Sequence, residues 1–140
     1  MKLLDANVWL AAGWVNHAQH PIARAWFDRE DDDLAWCRVT QMSFLRLVSN
    51  PAVAGSDALT RRQAWIAYDT FAADPRVRFL DEPDGIAPLW LSFSKRDDRS
   101  HQLWTDDYLA AFAQAAGVTL VTFDKASRAR YPSVSVSTLR

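Results

Sequence analysis

Met1-Lys-Leu-Leu-Asp-Ala-Asn-Val-Trp-Leu10 is an apolar run broken by one acid, Asp5, and one amide, Asn7. Short and rich in Leu and Val, it reads as a buried strand rather than a surface helix. An ionised carboxylate in such a run is costly unless it is paired, hydrogen-bonded or metal-bound. Asp5 therefore stands either at the strand's carboxyl end, facing a crevice, or in a satisfied network within the core. Open parallel sheets bind ligands at the carboxyl ends of their strands. The question is whether other carboxylates reach the same edge.

Outward from this run, short strands alternate with helices. Trp9 to Val15 reads as a helical turn leaving the sheet. A helix is expected from Pro21 to Glu30, with Ile22, Ala25 and Trp26 on one stripe and Pro21 in its first turn. Leu34 to Val39 is a second strand. Thr40 then reads as the N-cap of a helix over Gln41 to Val48, which Asn50-Pro51 stops. Val53 to Asp57 reads as a loop and Leu59 to Ala73 as a long helix. Val77 to Leu80 is a third strand, and Ile86 to Phe93 a further helix. Trp104-Thr105-Asp106-Asp107-Tyr108 opens a helix that runs to Ala116 and ends at Gly117. Val118 to Phe123 is a fourth strand, and Val134 to Leu139 a short edge strand. The alternation predicts a single α/β domain over residues 1–140, three-layered α/β/α, with a central, mainly parallel sheet of four to five strands.

Composition narrows the class. At 49% apolar and 24% charged residues the chain is an ordinary globular protein. No apolar stretch approaches the roughly 18 residues of a membrane span, and no signal-peptide pattern opens the chain, so a cytoplasmic setting without a membrane partner is expected. A single cysteine, Cys37, excludes an internal disulfide and any multi-cysteine zinc site. A net charge of −1 excludes a global field for nucleic acid. Thirteen of the 16 basic residues are Arg, suited to bidentate phosphate contacts but equally a product of codon composition. The acids comprise 15 Asp and only two Glu, Glu30 and Glu82.

Three acids fall at element boundaries. Asp5 lies near the end of the first strand, Asp106 in the first turn of the last long helix, and Asp124 directly after the fourth strand. In a parallel sheet all three reach the carboxyl side and can share one crevice. Carboxylates gathered there repel one another and stay ionised only beside a cation. Their hard oxygens favour Mg²⁺ or Mn²⁺, and a bound cation can activate water against a phosphodiester. Each acid also has a simpler explanation. Asp106 and Asp107 suit a helix N-terminus, and Asp124 suits a turn. The Asp31-Asp32-Asp33 run reads as a solvated loop, and His17, His20 and His101 as surface residues lacking a third zinc ligand. No Gly-rich phosphate loop and no Ser or Cys nucleophile context is present.

The stretches Leu3-Leu4-Asp5-Ala6-Asn7-Val8, Thr105-Asp106-Asp107-Tyr108-Leu109-Ala110-Ala111 and Thr122-Phe123-Asp124 together resemble the PIN domain. They look most like the VapC-type toxins of bacterial toxin–antitoxin pairs. Val39-Thr40-Gln41-Met42-Ser43-Phe44-Leu45-Arg46-Leu47, followed by Asn50-Pro51, resembles one branch of that family. The resemblance covers nearly the whole chain, in order and spacing. It implies a Mg²⁺-dependent ribonuclease, a homodimer, and a cognate antitoxin that occupies the active-site groove. Asp5, Asp106 and Asp124 match the family's first, third and fourth acidic positions, and Asn7 the small polar residue that follows the first.

The second acidic position departs from that pattern, because no Asp or Glu occurs between Asp33 and Asp57. Ser43 or Gln41 stands there instead. Either could position a metal-bound water, and Asp107 is a candidate replacement carboxylate. Arg46, Arg128 and Arg130, each in a segment beside a candidate acid, are the candidate RNA-binding cations. The seven Trp residues divide between core, interface and stacking roles that the sequence does not apportion.

The leading expectation is a metal-dependent endoribonuclease toxin acting on RNA. The first alternative is a catalytically weak RNA- or antitoxin-binding module that lacks the second acid. The other is a phosphatase with Asp5 as covalent nucleophile, disfavoured because that chemistry wants an acid where Asn7 stands.

Overall fold

The computed structural model describes residues 1–140. Five short strands form one all-parallel sheet in the order β3-β2-β1-β4-β5. They are β1 (Lys2–Leu4), β2 (Leu34–Trp36), β3 (Val77–Phe79), β4 (Thr119–Thr122) and β5 (Val136–Thr138). Between them run α1 (Ala6–Gly13), α2 (His20–Arg29), α3 (Arg38–Val48), α4 (Pro51–Ala54), α5 (Arg61–Ala72), α6 (Ile86–Ser94), α7 (Leu103–Ala116) and α8 (Ser127–Arg130). The α/β/α expectation holds, and the edge strand near residue 134 is present as β5. No helix is long and apolar enough to cross a membrane.

β1 is the central strand. Leu3 pairs with Ala35 of β2 and with Leu120 of β4, and Leu4 with Val121. Side chains alternate across a strand, so each strand serves both faces. Leu4, Leu34, Trp36 and Val121 enter a core layer with α1, α2, α3 and α5. Leu3, Ala35, Leu120 and Val136 enter a second layer with α6 and α7. A sheet covered on both faces needs continuously apolar strands, and Leu34-Ala-Trp36 is wholly buried.

Several boundaries differ from expectation: the second strand ends at Trp36, the expected Val53–Asp57 loop is the end of α4 and a 3-10 turn, and three others have a clear local reason. The strand at the N-terminus ends at Leu4. Ala6 already opens α1, with Val8 N–H donating to the Asp5 carbonyl at 2.9 Å. Six of the eight residues of α1 are buried, Ala6, Val8, Trp9, Leu10, Ala11 and Ala12. A helix apolar almost all round has no periodicity to distinguish it from a buried strand. Thr40 is the third helical residue of α3 rather than its N-cap. Its Oγ1 accepts the backbone N–H of Cys37, the true cap residue, at 3.0 Å. Pro51 stops α3 but also opens α4, where Asn50 caps by accepting Ala52 N–H at 2.9 Å.

The layer beneath α1 is aromatic. Trp9 of α1 stacks on Trp36 of β2 with centroids 4.0 Å apart and planes 8° from parallel. Phe44, Tyr68 and Phe71 meet Trp36 edge-on or tilted. The indole N–H groups of Trp9 and Trp36 are the only buried side-chain polar atoms without a hydrogen-bond partner. Each orphan donor costs about 1–3 kcal/mol, which the buried ring area outweighs.

Two substitutions separate these effects. Trp36→Ala lowers unfolding free energy by about 3–5 kcal/mol, the usual range for a buried aromatic. Trp36→Phe costs less than about 1.5 kcal/mol, because removing the orphan donor offsets part of the lost volume. Urea unfolding monitored by circular dichroism measures both, and equal losses would contradict the orphan-donor account.

Candidate carboxylate site

The carboxyl ends of β1 and β4 lie side by side, and the chain turns sharply after each. Asp5 N–H donates to the Val121 carbonyl at 2.9 Å, the last ladder bond before α1 begins. Its carboxylate faces the backbone N–H groups of Ala6 and Asn7, although neither forms a capping bond. Thr122 closes β4 and donates its hydroxyl to Asp5 Oδ2 at 3.1 Å. The same Thr122 Oγ1 accepts Asp124 N–H at 3.1 Å. One threonine thus ties two acids that are 119 positions apart in the chain.

Asp106 arrives from the other side, in the first turn of α7. Asp5, Asp106, Leu109, Leu120, Thr122, Asp124 and Ser127 line one small crevice. The three acids expected to meet are therefore brought together. Asp124 Oδ1 caps the next turn by accepting Ala126 N–H at 3.0 Å. Its Oδ2 holds Arg130 Nη1 at 2.9 Å.

The charges explain the titration. Burial pushes the Asp5 carboxyl above the usual carboxylate range, against the hydrogen bond from Thr122. Burial, then the Asp5 carboxylate, pushes Asp106 up to about 6, with Arg130 opposing and Asp124 adding to the rise. Arg130 beside Asp124 holds that carboxyl below its ordinary value. The site is a repelling set of hard oxygens with one cationic neighbour.

That donor chemistry fits a divalent cation, and relief of the repulsion is what such an ion supplies. The set is nevertheless not closed on an ion: no three His, Cys, Asp or Glu side chains are grouped tightly enough to hold one by themselves. Arg130 occupies one oxygen of Asp124, and the Thr122 hydroxyl one of Asp5.

The remaining sequence candidates scatter. Asn7 is exposed on α1 and adjoins the crevice through its backbone. Gln41 is buried and its Oε1 accepts Arg38 Nη1 at 2.6 Å. Neither Gln41 nor Ser43 lines the crevice. Asp107 turns away from Asp106, as a helical neighbour must at about 100° per residue. Its Oδ1 accepts the Tyr131 hydroxyl instead. Arg46 is exposed beside Arg61 and Trp65 on α5. Arg128 donates to the Val136 carbonyl at 3.1 Å, tying α8 to β5. Of the three arginines only Arg130 reaches the acids.

Thr122 and Ser127 are crevice residues that sequence reasoning did not single out. The available signal was period-two spacing, since Thr122 and Asp124 leave the strand on one side. Asp31-Asp32-Asp33 is bound up with the N-terminus: Asp32 meets the terminal ammonium at 2.9 Å and Lys2 at 3.3 Å. His17 Nδ1 accepts Gln19 N–H, and His20 Nδ1 contacts the Ala11 carbonyl. A separate cleft of about 670 Å³ between α1, α2 and α5 is mostly apolar and shares no residue with the crevice.

Comparison with known proteins is consistent across sequence and structure. The PIN domain family profile matches residues 2–131. Ribonuclease VapC41 of Mycobacterium tuberculosis is 42% identical over 132 residues, covering 90% of each chain. Ribonuclease VapC39 of the same organism is 32% identical over 126 residues, covering 89% of this chain and 88% of that one. The crystal structure of M. tuberculosis VapC20, a sarcin-ricin loop cleaving toxin, superposes with a TM-score of 0.70 at 17% identity. It covers 92% of this chain and 94% of that one. DNA-bound VapBC from Salmonella typhimurium gives a TM-score of 0.69 at 16% identity, covering 98% of this chain and 96% of that one.

The charge arrangement has a measurable consequence in metal-free protein. Asp106 titrates near 6 when folded and near 3.9 when unfolded, so the folded state favours its neutral form. Its ionisation therefore costs stability progressively from about pH 4 to about pH 6, and the cost is full above that window. Asp106→Asn removes the cost. After discounting for its partial exposure, melting temperature rises by roughly 3 °C at pH 7.5, about 1 kcal/mol, and is unchanged at pH 4. Thermal melts in EDTA at both pH values test this, and a drop at pH 7.5 would rule it out.

Proposed function

The chain belongs to the PIN-domain family, and on that premise we propose that it is a VapC-type endoribonuclease, the toxin of a toxin–antitoxin pair. In this reading it hydrolyses RNA phosphodiester bonds with Mg²⁺ or Mn²⁺, acts as a homodimer and is restrained by a cognate antitoxin. The observation that carries the reading is the convergence of Asp5, Asp106 and Asp124 on one crevice at the carboxyl edge of the sheet. The 42% identity to a protein named a ribonuclease supports it.

Asp5, Asp106 and Asp124 would hold the cation, which supplies an activated water and neutralises phosphate charge. The protein's own groups do the rest. The Thr122 hydroxyl donates to Asp5 Oδ2 and keeps the carboxylate pointed into the crevice. Arg130 sits on Asp124 Oδ2, within reach of an incoming phosphate, for which a guanidinium offers a bidentate partner. Asp106, raised to about 6, ionises fully only near neutral pH and above. In the metal-free protein protons therefore compete with a cation for Asp106, and apparent Mn²⁺ affinity is expected to fall as pH drops through 6.

One observation favours a second reading, a binding module with weak catalysis. The family's second acidic position holds no carboxylate, and neither Gln41 nor Ser43 lines the crevice. Two measurements separate the readings. Asp5→Asn cuts Mg²⁺-dependent cleavage of structured RNA by at least about 100-fold if the nuclease reading is right, and equal cleavage by parent and variant rejects it. Calorimetric titration with Mn²⁺ gives binding heat for a nuclease; none at millimolar metal selects the module.

A further inference from the structure

Beside the carboxylate crevice lies a second, polar pocket of about 500 Å³, built by the end of α6, the loop after it, the start of α7 and α8. Lys95, Arg96, Trp104, Asp107 and Arg130 line it. We propose that this pocket binds one unpaired ribonucleotide next to the scissile phosphate, with its base on Trp104, its phosphate on Lys95, Arg96 and Arg130, and its amino group on Asp107. The inference rests on the ribonuclease reading only for which phosphate is scissile; the pocket's chemistry stands on its own residues.

The two cavities are joined twice. Arg130 lines the pocket while its Nη1 holds Asp124 of the crevice at 2.9 Å. Asp106 belongs to the crevice and its neighbour Asp107 to the pocket, because consecutive helical side chains diverge. A strand whose phosphate sits at the acids therefore continues directly into the pocket.

The pocket's free chemistry is that of a nucleotide site. Trp104 is 55% exposed. Trp90 meets it edge-on with centroids 6.4 Å apart, and Trp90 Nε1–H donates to the Trp104 carbonyl at 3.1 Å. A large ring held in place yet open to solvent suits stacking on an unpaired base. Lys95 has no ion-pair partner. Arg96 donates only to carbonyls, Phe93 at 2.9 Å and Arg130 at 3.4 Å, so its charge meets no acid. Unpaired cations beside an exposed indole recognise a phosphate together with a base. The mixed rim charge, including Asp98, argues against a bare anion site.

Asp107 adds selectivity. The residue is 6% exposed, and only its Oδ1 is occupied, by the Tyr131 hydroxyl. Oδ2 accepts no protein hydrogen bond and is not among the sealed polar atoms. A carboxylate oxygen is an acceptor only, so it takes an exocyclic amine and rejects a carbonyl. Cytosine carries an amine where uracil carries a carbonyl, so the pocket favours cytosine over uracil.

The test is fluorescence anisotropy in EDTA, where no cleavage occurs, using labelled 12-nucleotide oligo(C), oligo(U) and a duplex. Trp104→Ala weakens single-strand binding about tenfold and leaves duplex binding unchanged, while Trp104→Phe retains affinity within about threefold. Lys95→Ala with Arg96→Ala lowers the slope of log affinity against log salt by about 1 to 2. Wild type prefers oligo(C) by about fivefold, and Asp107→Asn, whose amide also donates, narrows that preference. Trp65→Ala, at a similarly exposed indole on α5, has no effect. Wild-type affinity in Trp104→Ala overturns the proposal. So does a changed sedimentation mass with unchanged RNA affinity, which would make Trp104 a contact between protein chains. Absence of RNA binding by the parent also overturns it. The nuclease reading is judged separately by cleavage with Asp5→Asn.

Discussion

Parallel pairing of β1 between β2 and β4 is the constraint on which the rest depends. It places Leu4 opposite Val121, so the residues following each strand emerge together at one sheet edge. From that register come the Asp5 N–H bond to Val121 and the Thr122 hydroxyl bond to Asp5 Oδ2. A one-residue slip of either strand would turn Leu3 and Leu4, or Leu120 and Val121, to the wrong layers. Register is thus secured by burial on both faces, and the carboxylate site inherits its geometry from the core.

The core also sets the cost of the site. Three acids held near one another disfavour folding whenever they are ionised and unneutralised. The stacked pair Trp9 and Trp36 sits in the layer directly under β1 and β2, and α1, which Asp5 precedes, is buried along most of its length. Rigid aromatic packing behind the strand end offsets the repulsion in front of it. Two unpartnered indole N–H groups in that layer indicate that ring placement takes precedence there over polar satisfaction.

Much of this was legible in the chain. The alternation of short apolar runs with helices specified the sheet, and the three boundary acids specified the edge at which they meet. What was not legible has physical causes. Ala6 to Ala12 is apolar except for Asn7, so strand and helix could not be told apart by period. Thr40 is a plausible cap by type, but capping depends on backbone geometry that residue identity does not encode. Thr122 forms the link between Asp5 and Asp124 only once β1 and β4 are paired, and no local pattern reveals a contact between residues 117 apart in the chain. Arg46, Arg128 and Arg130 looked equivalent by proximity to acids in sequence. Only Arg130 is brought to the acids, because α8 folds back over Asp124.

Arg130 also bears on the missing second acid. A four-carboxylate site would need a cation to be tolerable at all, whereas here an arginine already neutralises one of three. The pair Arg130 and Asp124 leaves Asp5 and Asp106 as the unneutralised acids, and it is Asp106 that rises to about 6 while Asp124 falls. Any cation at this edge competes with Arg130 for Asp124, and a phosphate competes with Asp124 for Arg130. An anion that draws the guanidinium away frees a carboxylate oxygen at the same moment. On the proposed reading, substrate and metal affinity would be coupled through one side chain, because both would act on the Arg130–Asp124 pair.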